Sequence, residues 1–220
     1  TEPSHALRRM KNSSLHNCIR LHKTGEVDAI VSAGNTGALV ALSTVHLGLF
    51  SSVRRPAICT QLPTIEAPFL MLDLGACVEC KPTDLVSFTH LAVQLAKSLG
   101  YKSQNCALLN VGHESIKGNQ LVKDTAKLLS DFDGFKGFVE PSELFKRKVD
   151  IVIADGFTGN LVLKSIEGTM KFVLALIKNS VLSSFLMKLF APIVKFVLSR
   201  SLSPVHPDRF NGAVLLGVRG

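Results

Sequence analysis

Residues 149–160 read VDIVIADGFTGN, and the fold is decided here. A run of mostly apolar residues (149–154) meets Gly156-Phe157-Thr158-Gly159, and a helical pattern follows from Asn160. The run lacks polar/apolar alternation, which is how a strand covered on both faces reads. Working outward, 27–33 (VDAIVSA) leads into Gly34-Asn35-Thr36-Gly37 and an apolar helix to about Gly48. Further strands are expected at 57–61, 69–74, 106–111 and 135–139. Helices are expected at 4–24, 82–99 and 119–129; the second turns Leu85, Phe88, Leu91, Ala92 and Leu95 inward and stops at Gly100. Alternating strands and helices of this kind predict an α/β fold, a mostly parallel sheet wrapped by helices, in one domain over 1–220.

Ligands of open α/β sheets bind outside the carboxyl ends of the strands. The loops there hold the candidate residues: Gly34, Asn35, Thr36 and Gly37; Asp73, Gly75 and Lys81; Asn110, Gly112, Lys117 and Asn119; and Asp155, Gly156, Thr158, Gly159 and Asn160, with Lys164 beyond. Two loops echo each other as strand, G-x-T-G, helix. Glycine lets backbone approach a ligand closely, the Thr is placed to cap the helix, and first-turn N–H groups are donors for an anion. Gly-rich turns with Thr caps are also ordinary in α/β proteins. The doubling, with Lys81, Lys117 and Lys164 beside the junctions, favours an anion site.

The 220 residues are 46% hydrophobic, with 25 Lys and Arg against 17 Asp and Glu, a net charge of +8. That balance suits anionic partners, but no nucleic-acid motif occurs, so nucleic acid is not expected. Neither G-x-G-x-x-G nor G-x-x-x-x-G-K-[ST] stands at these turns, no G-x-S-x-G elbow is present, and no His/Asp/Glu cluster demands a metal; no cofactor is expected. Five cysteines without a signal peptide point to a reducing cytoplasm. Cys77 and Cys80 form a single C-x-x-C, read as packing side chains rather than a zinc or redox site. His113 is read as a solvated loop residue before a proton carrier.

From 172 to 198 the chain is strongly apolar, but Lys178, Lys188 and Lys195 interrupt it, and Ser183-Ser184 and Pro192 break its regularity. Lys171 and Lys178 share a helical side, as do Lys188 and Lys195. A hairpin over 165–200 with a basic edge fits a lipid interface with anionic headgroups, or burial against a second subunit, or both.

Several motifs are specific together: Arg8-Arg9-Met10-Lys11-Asn12-Ser13-Ser14, Ser32-Ala33-Gly34-Asn35-Thr36-Gly37-Ala38, Leu72-Asp73-Leu74-Gly75-Ala76, Lys81-Pro82, Leu108-Leu109-Asn110-Val111-Gly112, Lys117-Gly118-Asn119, and Asp155 to Asn160 with Lys164, Glu167 and Gly168. Through them the chain resembles the phosphate acyltransferases of the PlsX family, which convert acyl-[acyl-carrier-protein] and inorganic phosphate into acyl phosphate. The resemblance implies a Rossmann-like α/β/α sandwich akin to the isocitrate and isopropylmalate dehydrogenases, and a homodimer with the site near its interface. It also implies membrane attachment by the hairpin and delivery of acyl phosphate to a membrane glycerol-3-phosphate acyltransferase. The chain departs from the family at Cys77, usually Asn, and at Phe210-Asn211-Gly212, usually Tyr-Gly-Gly. It is expected to lack the family's N-terminal strand with its Gly-Gly-Asp loop and its C-terminal helices.

From loop position and side-chain chemistry rather than from the resemblance, Asn35, Thr36, Thr158 and Asn160, with nearby backbone N–H groups, are expected to cradle phosphate and oxyanion. Lys81 and Lys117 neutralise charge, and Asp155 orients a lysine or a hydroxyl. Competing readings are a phosphate acetyl- or butyryltransferase using coenzyme A thioesters, a decarboxylating dehydrogenase, and a non-catalytic copy retaining only membrane and carrier-protein binding.

Overall fold

The computed structural model describes residues 12–64, 66–146, 148–183 and 212–220. Six strands form one sheet: β1 (Ala57–Leu62), β2 (Phe69–Leu72), β3 (Cys106–Leu109), β4 (Phe135–Val139), β5 (Ile151–Ile153) and β6 (Ala213–Leu216). Their order is β4-β3-β5-β2-β1-β6. β2, β5, β3 and β4 run parallel, with Leu72 and Leu108 each opposite Ile153. β1 is antiparallel to both its neighbours, Cys59 facing Leu72 on one side and Val214 on the other. The sheet is thus mixed and mostly parallel.

Every residue of β2, β3 and β5 is buried, which explains why these strands read as runs without alternation. Successive residues nonetheless serve opposite faces. Leu70, Leu72, Ile151 and Ile153 pack with Leu85, Phe88 and Ala92 of α3 (Pro82–Ser98) and Val122 of α4 (Gln120–Leu128). Phe69, Met71 and Val152 face the other way, against Val40 of α2 (Thr36–His46), Leu144 of a 3-10 turn (Pro141–Lys146), and Val162, Leu163 and Ile166 of α5 (Gly156–Ser183). The remaining helix, α1 (Ser14–Lys23), packs on α2. Helices therefore cover both faces.

α3 shows how local sequence fixes an element. Pro82 opens it where a missing N–H costs nothing, and the Asp84 carboxylate accepts the Lys81 N–H. It ends in a Schellman motif: Tyr101 N–H bonds the Ala96 carbonyl and Gly100 N–H that of Lys97, with Gly100 at φ +77.

Two sequence expectations change. Residues 27–33 form no strand, and Val31 is 97% exposed. A strand needs a hydrogen-bonding neighbour, and a cavity of about 790 Å³ separates this segment from β6. Residues 213–216, which are not among the expected strands, complete the sheet as β6. The first arm of the expected hairpin falls on the distal part of α5, which runs unbroken for 28 residues from the Gly156 turn to Ser183. Lys178 lies exposed on it, while the second arm with Lys188 and Lys195 falls outside the described residues. Among the described residues no helix is long and apolar enough to cross a membrane.

Candidate functional site

Loops 73–81 and 110–119, and the turn at Asp155 that opens α5, all leave the carboxyl ends of parallel strands, β2, β3 and β5. The loop after β2 is organised by Asp73, whose side chain is fully buried. One carboxylate oxygen accepts the N–H groups of Ile58, Gly75 and Ala76 at 2.9–3.2 Å, and the other that of Cys77 at 2.6 Å. Burial pushes its pKa up and the four N–H groups pull it back, leaving it above the ordinary value. This carboxylate is spent on holding the loop.

The start of α5 is built onto that loop. Gly156 N–H donates to the Cys77 carbonyl at 2.8 Å. A Cβ on Gly156 would come within 2.7 Å of the Asp73 carboxylate and the Cys77 carbonyl, and one on Gly159 would overlap the Asp73 carbonyl. These two glycines let helix and loop touch, a packing role distinct from the ligand approach expected of them.

The cap is Asp155, not Thr158. One Asp155 oxygen accepts the Thr158 N–H at 2.9 Å and the other its hydroxyl at 2.7 Å. Two of the first-turn donors of α5 are thereby engaged within the protein. At α2 the cap is Asn35, whose Oδ1 accepts the Ala38 N–H at 2.9 Å, and Thr36 is the first helical residue. The expectation that Thr caps both helices gives way because Asn and Asp stand one residue or three before it and reach the same donors.

A cavity of about 690 Å³ gathers part of the candidate set. Thr36, Gly75, Asn160 and Lys164 line it together with Thr60, Glu167, Lys171 and a set of apolar side chains. Gly75, at φ +124, stands beside Asn160, whose side chain would lie 3.6 Å from a Cβ there. Gly34, Asn35 and Gly37 flank Thr36 in sequence and are exposed. Asp155 and Thr158 lie five and two residues before Asn160 and do not line the cavity.

The remaining candidates are placed elsewhere. Asn110 is buried, its amide donates to the carbonyls of Gly112 and Lys117, and Gly118 leaves no room for a side chain beside it. Asn119 caps α4 through the Val122 N–H. Lys117 is exposed and pairs with Glu114 at 2.8 Å, a contact that raises its pKa and lowers that of Glu114. None of these lines the cavity. Lys81 is exposed at the start of α3, and Lys164 pairs with Glu167 at 2.9 Å on the rim.

Two features escaped the sequence reading. Asp84 is buried and accepts two hydrogen bonds from Arg54, which ties the segment before β1 to the foot of α3. Its position in the first helical turn was the only signal, and nothing in the spacing pointed to Arg54. Cys77, Cys80 and Asp84 also bring ligand atoms within 4.8 Å of one another. Both Asp84 oxygens are already taken by Arg54 and the Lys81 N–H, which fits structural anchoring better than a metal. His113 is half-exposed and bridges Glu143, at 2.6 Å, and the Phe138 carbonyl, at 3.1 Å, so both its ring nitrogens are engaged.

Comparison with known proteins adds to this geometry. Phosphate acyltransferases from Saccharophagus degradans and Methylococcus capsulatus are 42% and 43% identical over all of this chain, which spans 65% of each; one from Janthinobacterium is 45% identical over 98% of the chain and 62% of its own length. The chain thus covers just under two thirds of these relatives. Among solved structures, the phosphotransacetylase EutD from Staphylococcus aureus superposes with a TM-score of 0.58 at 13% identity, over 96% of this chain and 61% of that one. A phosphotransacetylase from Streptococcus pyogenes gives 0.55 at 13% identity over 92% and 60%. At such identity these two speak for the fold alone. A family model described as "Fatty acid synthesis protein" matches residues 1–220, and the chain belongs to that family.

Proposed function

We propose that this chain carries out phosphate acyltransfer: a fatty acyl group moves from acyl-[acyl-carrier-protein] to inorganic phosphate, giving acyl phosphate for phospholipid synthesis. The observation that carries the reading is the cavity where Thr36, Gly75, Asn160 and Lys164 meet at the carboxyl ends of β2 and β5, in a chain over 40% identical to proteins named phosphate acyltransferase.

Phosphate is an adequate nucleophile near neutral pH, so the protein's task is to hold it against the thioester carbonyl and to stabilise the oxyanion. A phosphate oxygen forms the new C–O bond, the C–S bond breaks, and the carrier thiol leaves with a proton. Asn160 and Thr36 are the polar side chains closest to where the carbonyl would lie, and Lys164 supplies positive charge at the rim. Asp155 orients the Thr158 hydroxyl from one turn behind. Asn35 sets Thr36 by capping its helix, while Lys81 and Lys117 draw the anion in from outside.

The finer architecture belongs to the same proposal. Helices on both faces of a mostly parallel sheet agree with a Rossmann-like sandwich of the isocitrate dehydrogenase type. The exposed apolar residues of α5, among them Phe172, Val173 and Leu176, support a homodimer contact, attachment to an anionic membrane surface near Lys178, or both. Peripheral association on the cytoplasmic side would place acyl phosphate where a membrane glycerol-3-phosphate acyltransferase can take it.

The test is phosphate-dependent release of free carrier-protein thiol, with coenzyme A thioesters as competing donors. Carrier-protein substrates are expected to be preferred. A preference for short coenzyme A thioesters would assign the chain to the acetyl- or butyryltransferases instead. If Lys81→Ala and Thr158→Ala left the rate unchanged, the roles assigned to these two residues would be wrong.

A further inference from the structure

The cavity that begins at Asn160 and Gly75 gains an apolar side as it runs along α5. Along α5 the face that starts with Asn160 continues through Leu163, Ile166, Met170 and Leu174, spacings of three and four residues that keep one side of a helix. Leu62 and Pro63 at the end of β1 form the opposite wall. From Asn160 to Leu174 the helix advances about 21 Å, comparable to an extended long-chain acyl group. Lys164, Glu167 and Lys171 edge the same cavity, and in the trough between that charged edge and the apolar side an acyl thioester can lie with its carbonyl at Asn160 and its chain against Leu163, Ile166 and Met170.

A second cavity, of about 460 Å³, lies on the neighbouring side of α5. Its lining is almost wholly apolar, with Pro141, Leu144, Leu161 and Val162 among its residues. The two cavities have three lining residues in common: Phe145, Ile166 and Met170. Ile166 and Met170 are one turn apart on α5, and Phe145 comes from the 3-10 turn after β4. Together they stand as a partition between a cavity of 690 Å³ and one of 460 Å³.

We propose that Phe145, Ile166 and Met170 set the length of acyl chain the site accepts, by closing the trough against the second cavity. This rests on the acyl-transfer reading above. Met170 is unbranched and adapts its shape, so the partition yields by degrees rather than presenting a fixed stop. Removing side-chain volume joins the two cavities and admits more methylenes; adding volume shortens the trough. A methylene gained or lost in such a pocket changes discrimination by a factor of about ten.

The experiment compares kcat/KM for octanoyl, palmitoyl and stearoyl carrier-protein thioesters in the full chain. Met170→Ala and Phe145→Ala are expected to raise the stearoyl-to-octanoyl ratio about tenfold, and Ile166→Trp to lower it by a similar factor. Ratios equal to wild type in all three variants would overturn the proposal. Binding of the fluorescent fatty acid cis-parinaric acid to the same variants, with circular dichroism to confirm folding, separates the two readings. If no thioester is turned over but Ile166→Trp weakens parinarate binding about tenfold, the trough stands and the acyl-transfer reading falls. Turnover with unchanged chain-length ratios and unchanged parinarate binding sinks the partition and leaves the acyl-transfer reading in place.

Discussion

The segments 27–37 (VDAIVSAGNTG) and 149–159 (VDIVIADGFTG) match at five of eleven positions, Val, Asp, Gly, Thr and Gly. In the second, β5 is held between β2 and β3, and the helix that follows is clamped by Gly156 and Gly159 to the Asp73 loop. In the first, the same pattern runs exposed with no ladder partner among the described residues. Even the helices start differently. Asn35, the second residue of its tetrapeptide, caps α2, whereas Asp155, the residue before its tetrapeptide, caps α5. Thr36 is therefore the first residue of its helix and Thr158 the third. A four-residue motif specifies a helix start only together with its flanking residue, and a strand only together with its neighbours.

The two junctions should differ most at their glycines. Gly159→Ala, whose Cβ would overlap the Asp73 carbonyl, is expected to destabilise the chain by about 3 kcal/mol in urea unfolding, and Gly156→Ala by about 2 kcal/mol. Gly34→Ala, the counterpart of Gly156, meets only the Ser32 hydroxyl at 3.3 Å and should stay within about 0.5 kcal/mol. Equal losses at Gly34 and Gly156 would mean that the two junctions are packed alike after all.

Turnover sharpens the contrast next. Thr36→Val removes a hydroxyl that lines the cavity and is expected to lower kcat/KM for acyl phosphate formation about 100-fold. Thr158→Val, whose hydroxyl bonds Asp155 and lies outside the cavity lining, should cost closer to tenfold, and the reverse ranking would move the chemistry to the α5 junction. The caps follow. Asp155→Ala gives up both the N–H and the hydroxyl of Thr158 and should cost about 2 kcal/mol, against about 1 kcal/mol for Asn35→Ala. The smallest effect is Ser32→Ala, which loses one exposed bond from the Gly34 N–H and should shift stability by no more than about 0.5 kcal/mol.

The sequence disclosed the interior strands and the loops after them because burial on both faces leaves a plain signature. β2, β3 and β5 read as apolar runs, and Asp73, Asn110 and Asp155 stand one residue or two beyond them. Residues 27–33 carry the same signature and still form no strand, since pairing depends on what lies alongside. β6 was hidden for a different reason: four residues are too short a run to show a recognisable pattern. Within the site, residue types were legible and directions were not. Nothing in the order of residues says that the Asp73 carboxylate turns inward to four N–H groups, that Asn110 closes its own loop, or that Arg54 reaches Asp84.

α5 begins against the Asp73 loop and continues without a break for 28 residues, about 42 Å of stiff rod. Its near end is held by the glycine pair at 156 and 159 and by Val162, Leu163 and Ile166 against the sheet. A rod gripped over its first turns passes little of any distal sway back into them. Whatever surface the far end meets, Asn160 and the hydroxyl beside it are insulated from its jostling, while the heading of the rod fixes which way the mouth of the cavity points.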